Sequence, residues 1–348
     1  MAQIDKPNLH FRTKLYLGTG SANSITYDES GNMQPDLMWI KSRGHTASWL
    51  CNDVLRGVTK RLKLDMNSAE STETQMITAF DTNGFSLGTS STANQNTTDF
   101  ASYSWKANGA GSSNSDGSTT STVSVNTASG CSIVQYAGSS SAATIGHGLG
   151  ATPNMMIVKT YSSGYEWAVY HKNLGHGENL YLDSTGAASS TTTFWNNTAP
   201  TSSVFSAAGN TIYTNYAGQN YIAYCFTEKK GFSKFGLYSG NASADGQFVY
   251  CGFKPAWILR KCVTGGTAEV WLINDNKRDT YNQSQKALFP NNTNVEDTAT
   301  HNAVDFLSNG FKCRTSDGRS NGSSKNYVYA AFAENPIVGS NNIPVTAR

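Results

Sequence analysis

The sequence predicts an all-β protein built from three tandem β-sandwich repeats of about 100 residues each. Three observations support this prediction. A cassette of Pro, an apolar run and Lys recurs at residues 35–41, 153–159 and 255–261, and a Trp follows each copy. The 32 glycines, with abundant Ser, Thr and Asn, suit short strands joined by tight turns. No segment shows a sustained helical spacing of apolar residues.

Each cassette is predicted to be a buried strand. Its apolar run of four to five residues follows a Pro and is rich in Met, Ile, Val and Trp. Such a run fits a buried strand, although periodicity alone does not exclude a short helix. Pro suits the start of a strand because its missing N–H breaks no ladder hydrogen bond there.

Further strands are predicted downstream of each cassette. Alternating apolar residues at 62–64 and 180–182, and less clearly at 287–289, have the period of a half-buried strand. Each copy then closes on a strand of aromatic residues and alanine, at residues 100–105, 221–226 and 327–332.

These patterns divide the chain into six predicted segments. They are an N-terminal arm (1–13), repeat one (14–107), a Ser/Gly/Thr-rich linker (108–130), repeat two (131–228), repeat three (232–334) and an extended C-terminal tail (335–348). The arm is either an ordinary terminus or a docking arm that pairs with a neighbouring subunit. The linker, almost free of charge, cannot bury enough surface to order itself as a separate core. The tail is expected to lie along a partner or to fray.

The charge distribution and the apolar runs argue against two classes of partner. A net charge of +2 leaves no basic stripe for nucleic acid, and the basic residues 60–63 fit the solvent face of a strand better than a phosphate site. No apolar run is long enough for a membrane span, and the first residues lack the apolar core of a signal peptide.

The sequence does not predict catalysis, a metal site or a cofactor. The six cysteines form no CxxC pair and share no repeat position, so we expect free, buried thiols. The Gly-rich segment 146–150 lacks the Ser of a nucleophile elbow. His171 and His176 lack the helical context of a metal-binding pair. The chain is therefore predicted not to be an enzyme.

The candidate contact residues are the recurring Trp and the charged or His side chains after it: Trp49, Asp53, Arg56, Trp167, His171, Trp271, Asp275 and Arg278. Aromatic rings stack on sugar faces, while carboxylate and guanidinium groups bind hydroxyls, so these residues are candidates for glycan or partner contact. The alternative is structural, because a Trp at a nearly fixed offset in every repeat is what a core requires. His171 and Leu174 replace the charges in the second repeat, which argues against three equal sugar sites.

The third copy and the C-terminus resemble a known group of proteins. The segments 251–255, 327–336 and 343–348 are similar to repeats and tails in virion structural proteins of marine tailed phages. This resemblance implies concanavalin-like or jelly-roll sandwiches in tail fibres or on capsid surfaces. It also implies a location on the virion surface, with other virion proteins as partners.

Two functional hypotheses follow. The first is a tail-fibre or receptor-binding component on the particle exterior that contacts host-surface glycan. The second is a capsid decoration or head-fibre protein, in which three units in one chain form a pseudo-trimer on a local three-fold axis, or three chains form a true trimer. A homo-oligomer, with a trimer favoured, is expected. A glycan depolymerase would require a carboxylate pair assembled from distant parts of the chain.

Overall fold

A computed structural model describes residues 3–265 and 269–335, together with the backbone of 337–338 and 344–345. The regular secondary structure of the described chain is almost entirely β, with strands in antiparallel sheets that pack as sandwiches. The predicted all-β sandwich class is therefore confirmed.

The first part of the chain forms nine strands: β1 (Phe11–Leu17), β2 (Asn23–Thr26), β3 (Leu37–Ser42), β4 (Leu50–Asp53), β5 (Lys60–Arg61), β6 (Ser71–Thr72), β7 (Ile77–Asp81), β8 (Gly84–Leu87) and β9 (Asp99–Trp105). A 3-10 turn at Pro7–Leu9 precedes β1, and one helical turn at Ser91–Asn94 precedes β9.

The middle part forms ten strands: β10 (Ser112–Asn114), β11 (Ser121–Asn126), β12 (Cys131–Ala137), β13 (Ala143–Gly146), β14 (Met155–Thr160), β15 (Ala168–His171), β16 (Glu178–Tyr181), β17 (Ser189–Ser190), β18 (Val204–Ala207) and β19 (Asn220–Phe226).

The last part forms nine strands: β20 (Ser233–Ser239), β21 (Phe248–Tyr250), β22 (Pro255–Cys262), β23 (Leu272–Asp275), β24 (Val304–Leu307), β25 (Gly310–Cys313), β26 (Asn326–Ala333), β27 (Ile337–Val338) and β28 (Pro344–Val345). A 3-10 turn at Thr300–Asn302 precedes β24.

One strand order occurs three times. The main sheets contain the orders β1-β9-β3-β4, β12-β19-β14-β15 and β20-β26-β22-β23, and each main sheet has a smaller sheet on one face: β2-β8-β7, β13-β18 and β21-β25-β24. We call these pairs the first (residues 11–105), second (131–226) and third (233–333) sandwich. The cassettes form β3, β14 and β22, and the closing aromatic strands form β9, β19 and β26, as predicted. The division into tandem repeats stays a prediction.

Each main sheet is buried on both faces. In β3, Met38 and Ile40 pack in a core that belongs to the first sandwich alone, whereas Leu37 and Trp39 pack in a core formed by all three sandwiches. The same alternation occurs in β14 and β22. Because both faces exclude water, the cassettes are continuously apolar and do not alternate with polar residues.

The shared core is centred on aromatic rings from all three sandwiches: Phe11, Trp39, Trp105, Phe226, Phe235, Trp257 and Phe332. The Trp105 ring lies 5.1 Å from that of Trp39 and 5.7 Å from that of Trp257, both in edge-to-face geometry. The apolar cavity left at this centre measures about 10 Å³. The three main sheets therefore meet without a sizeable void.

The prediction of a linker at 108–130 is wrong. This segment contains β10 and β11, and β11 pairs with β12 from Ser121↔Tyr136 to Asn126↔Cys131. Val123 is only 4 % exposed and packs in the core of the second sandwich, with Val125 against it. The segment is ordered despite its polar composition because it needs no core of its own: it adds two valines to a core that other residues form.

Both termini also differ from the prediction. The N-terminal arm ends before Phe11, where β1 begins, and the Phe11 ring stacks on Phe332 at 5.1 Å. The Ile4 N–H donates to the Lys230 carbonyl, so the arm lies against its own chain. In the tail, β27 pairs with β28 as a two-stranded hairpin. The other tail residues, from 336 onward, lie outside the described residues.

We expect Trp105→Ala to destabilise all three sandwiches together, because Trp105 fills the core that they share. Truncating a buried aromatic side chain costs about 3–5 kcal/mol. Urea unfolding followed by both fluorescence and far-ultraviolet circular dichroism should give one transition in each protein, displaced to lower urea in the variant. If the unmodified protein instead unfolds in two resolved transitions, of which the variant displaces only one, that result contradicts a single shared core.

Candidate functional site

The eight residues predicted to contact a glycan or partner all lie in the interior. None of them is more than 9 % exposed, and Trp49, Asp53, Trp167 and Asp275 have no exposed surface. A polysaccharide outside the protein cannot reach them in this fold. The prediction of glycan contact through these side chains is therefore wrong, because the neighbouring sandwiches cover the face on which they lie.

The structure places these residues at three seams between sandwiches. Seam A joins the first and second sandwiches, seam B the first and third, and seam C the second and third. A buried indole N–H crosses each seam to a backbone carbonyl: Trp167 Nε1 to Lys63 at 2.9 Å in seam A, Trp49 Nε1 to Phe289 at 2.8 Å in seam B, and Trp271 Nε1 to Tyr181 at 2.9 Å in seam C. The three bonds follow one another in the same direction around the molecule. The contacts are therefore cyclic, as in a three-fold assembly.

The lysine of each cassette repeats this pattern. Its ammonium group donates to a carbonyl across the seam: Lys159 to Asn67 at 3.1 Å, Lys41 to Thr293 at 3.2 Å, and Lys261 to Thr185 at 2.7 Å. The three side chains are at most 1 % exposed. Burial lowers the pKa of each lysine to about 8. Hydrogen bonds to fixed carbonyl dipoles partly replace the lost water.

Seam A also contains a cluster of buried charged side chains. Arg56 Nε donates to Asp53 Oδ2 at 2.7 Å, and Arg56 Nη1 lies 3.1 Å from Glu70 Oε2. From the second sandwich, the Tyr224 hydroxyl donates to the same Asp53 oxygen at 2.8 Å. The carboxylate of Asp53 also accepts the backbone N–H groups of residues 55 and 56. The charges are thus paired and hydrogen-bonded, as buried ions must be.

Seam B contains the same four residue types in the same arrangement. Arg278 Nε donates to Asp275 Oδ2 at 2.5 Å, and Arg278 Nη1 lies 3.2 Å from Glu296 Oε2. The Tyr103 hydroxyl of the first sandwich donates to Asp275 Oδ2 at 2.8 Å. Arg43 adds a two-pronged contact to Glu296, at 2.8 and 2.9 Å. We call the Asp, Arg, Glu and Tyr of seams A and B the charged quartet.

Seam C has none of the four. By strand register, His171 stands where the aspartates are and Ala330 where the tyrosines are. Leu174 takes the place of arginine, three residues after His171. Ala188 takes the place of glutamate, because its N–H donates to the Val263 carbonyl as that of Glu70 does to Tyr161. A charge left without its partner is strongly destabilising, so a seam keeps the whole quartet or none of it.

His171 is neutral in this seam. Its Nδ1 accepts from the Asn173 N–H at 3.3 Å, which leaves Nε2 to donate to the Tyr329 carbonyl of the third sandwich at 3.3 Å. Burial lowers the pKa of His171 from 6.5 to about 4. Protonation would put a charge into the least polar of the three seams.

A further set of residues at the seams is not among those predicted from the sequence. The backbone N–H of each recurring Trp donates to a side-chain oxygen in its own sandwich: Trp49 to Asp65 at 2.7 Å, Trp167 to Asp183 at 3.1 Å, and Trp271 to Asn291 at 3.0 Å. Burial raises the pKa of Asp65, and that of Asp183 to about 6. The signal was Leu-x-Leu-Asp at 62–65 and 180–183, which the third copy hides by placing Pro290 before Asn291.

The exterior offers concave surfaces of different character. An acidic depression of about 480 Å³ contains Asp65, Glu166 and Asp183. A groove of about 330 Å³ on the third sandwich has polar and aromatic residues in its lining, among them Gln247, Phe248 and Tyr250. Within residues 3–265 and 269–335, no group of three or more His, Cys, Asp or Glu side chains could hold a metal ion. All six cysteines are buried free thiols.

Over residues 6–336, the chain matches the model of a family described as a domain of unknown function, DUF7483. The chain belongs to this family. No curated protein and no solved structure matches it. The matched range begins before β1 and ends after β26, so all three sandwiches and their seams lie in one DUF7483 region. No helix in the described part of this DUF7483 chain is long and apolar enough to cross a membrane.

We expect Arg278→Met to reduce the free energy of unfolding by about 3–5 kcal/mol, because it leaves Asp275 buried without its cation. Seam C offers a matched control. Leu174 occupies the same position without a charged partner, so Leu174→Met should cost less than about 1.5 kcal/mol. Urea denaturation of the two variants measures both effects. An equal decrease in the free energy of unfolding would show that Arg278 does not stabilise the protein through its buried charge pair.

We expect the stability to fall as the pH is lowered from 6.5 towards 4, in part because of His171. Its folded pKa of about 4 lies below the unfolded value of 6.5, so the unfolded chain binds the extra proton in this window. The contribution of one such group is at most about 1.4 kcal/mol per pH unit.

His171→Gln should flatten this acid dependence, since glutamine can still donate to the Tyr329 carbonyl but does not titrate. His176→Gln, at a half-buried position, is the control for replacing a histidine by glutamine. Denaturant titrations at pH 7, 6, 5 and 4 compare the proteins. The same slope in all three would rule out His171 as the acid-sensitive group.

Proposed function

We propose that this DUF7483 protein is a structural protein on the exterior of a phage particle, where it caps local three-fold positions of the capsid lattice. The observation that supports this proposal is the cyclic set of seam contacts. One chain holds three similar sandwiches around one shared core, and a three-fold lattice position offers three equivalent surfaces for them to contact. The phage setting rests on the resemblance of segments 251–255, 327–336 and 343–348 to virion proteins.

Rigidity suits such a cap. The sandwiches meet through aromatic packing and buried hydrogen bonds, and the strands β10 and β11 belong to the sheet of the second sandwich. The spacing of the three outer surfaces is therefore fixed by the core. A fixed spacing lets three weak contacts act together without the entropy cost of ordering a flexible linker.

We expect purified particles to contain about one copy of this chain for every three major capsid subunits, since each three-fold position is shared by three subunits. Quantitative mass spectrometry against the major capsid protein measures the ratio. A few copies per particle would favour the tail-fibre and receptor-binding hypothesis. Absence from purified particles would contradict both.

The oligomeric state of the isolated chain provides a second readout. A pseudo-trimeric cap needs one chain of 37.4 kDa per site, whereas the homotrimer expected from the sequence would sediment at three times that mass. Analytical ultracentrifugation separates the two. In a stable homotrimer, three chains would surround the three-fold axis in place of the three sandwiches of one chain. That result would contradict the one-to-three ratio.

A further inference from the structure

We propose that the third sandwich binds an extended, uncharged peptide strand of another protein along its open side, between β20 and β21. The open side of a sandwich is the side where the first strand of the main sheet and the first strand of the smaller sheet both lie at an edge. In the third sandwich these edges are β20 and β21, and no strand pairs with their outer sides in the part of the chain that the structure describes.

In the second sandwich the corresponding side is closed by the chain itself. β11 pairs along the whole of its length with β12, the strand equivalent to β20. The Thr119 N–H donates to the Thr144 carbonyl at 3.1 Å, and the Ser121 hydroxyl donates to the Gly146 carbonyl at 2.8 Å, both on β13. One extended segment therefore satisfies both edges. This is an example, within the same molecule, of what the open side accepts.

The register identifies the equivalent residues on the third sandwich. Val249 pairs with Phe311 as Ile145 pairs with Phe205, so Phe248 and Tyr250 occupy the places of Thr144 and Gly146. Leu237 pairs with Val328 on β26 as Gln135 pairs with Ile222 on β19, so Leu237 occupies the place of Gln135.

These three positions are exposed and apolar. Leu237 and Phe248 are each 39 % exposed and Tyr250 is 64 % exposed. They border the groove of about 330 Å³, whose other walls include Tyr238, Val249 and Tyr329. Apolar side chains beside an unpaired sheet edge are the features by which proteins add a strand from a partner, because the backbone supplies hydrogen bonds and the side chains supply burial.

The first sandwich differs at the same place. Ile25 pairs with Phe85 there, which puts Ser24 and Thr26 at the positions of Phe248 and Tyr250. That edge is polar. The aromatic edge is therefore a property of the third sandwich and not of the fold, since the repeated topology holds without it.

The geometry also limits the strand. At the start of β20, the Phe235 N–H donates to the Glu228 carboxylate, which Lys172 and Lys234 flank. This ion-pair cluster caps the edge, so pairing is left to the second half of β20, around Leu237 and Ser239. The segment β11 carries Val123 and Val125 at alternate positions and no charge. We expect the partner strand to share that pattern, because a charged side chain would lose its water against Phe248 and Tyr250.

The experiment uses the full chain and a fluorescein-labelled peptide with the sequence of residues 117–127, which contains β11 and no charged side chain. Fluorescence anisotropy should show saturable binding, and hydrogen exchange at β20 and β21 should slow when the peptide is added. The double variant Phe248→Lys/Tyr250→Lys should weaken binding at least about tenfold, because edge lysines oppose strand addition. Its matched control, Ser24→Lys/Thr26→Lys on the first sandwich, should bind as the unmodified protein does.

A second probe, the same peptide with Val123→Asp and Val125→Asp, should not bind. The proposal is overturned if the first peptide shows no saturable binding up to about 1 mM, the affinity limit of a useful contact. It is equally overturned if the Phe248→Lys/Tyr250→Lys protein binds the peptide with the affinity of the unmodified protein. The peptide would then bind at another site, for example on the second sandwich in place of β11. Exchange protection in the unmodified protein decides the matter even if the double variant folds poorly.

Discussion

The burial of both faces of each main sheet is the constraint on which the rest of this structure depends. One face packs against a small sheet of the same sandwich and the other against two foreign sandwiches, so none of the three can present its inner face to water. A sandwich of about 100 residues buries only a modest fraction of its surface when it is alone. The aromatic centre around Trp105 supplies the missing burial. It also makes the relative positions of the sandwiches part of the fold.

Every polar group that faces this core needs a hydrogen-bond partner, because water is excluded. The indole of Trp49, the ammonium of Lys41 and their counterparts find carbonyl oxygens in the neighbouring sandwich, always in the same sense around the molecule. Seams A and B add a charged quartet, and seam C replaces all four members with His171, Leu174, Ala188 and Ala330. Each seam is satisfied only by its own pair of sandwiches, since Asp275 facing an alanine would lose the hydroxyl that Tyr103 gives it.

Interior and exterior thus have separate tasks. The recurring residues hold the three sandwiches in place, whereas the open sides differ from one sandwich to the next. The second is closed by residues 112–126, the first is polar, and the third presents Phe248 and Tyr250. The proposed cap, with a strand of another protein on its third sandwich, would use both the fixed centre and the unequal edges.

The sequence by itself determined the strand content and the recurring residues, because a buried strand requires a local apolar run and the cassettes supply one. It did not determine which way the recurring Trp faces, since an indole serves a core and a sugar site equally well. Only the tertiary structure could place Val123 in a core formed by residues far along the chain. Only it could show that His171 and Ala330 stand at the seam positions that Asp275 and Tyr103 occupy elsewhere, because these positions are far apart in the sequence. A local pattern indicates which contacts a residue is able to make. The contacts it does make depend on the distant residues that the fold places beside it.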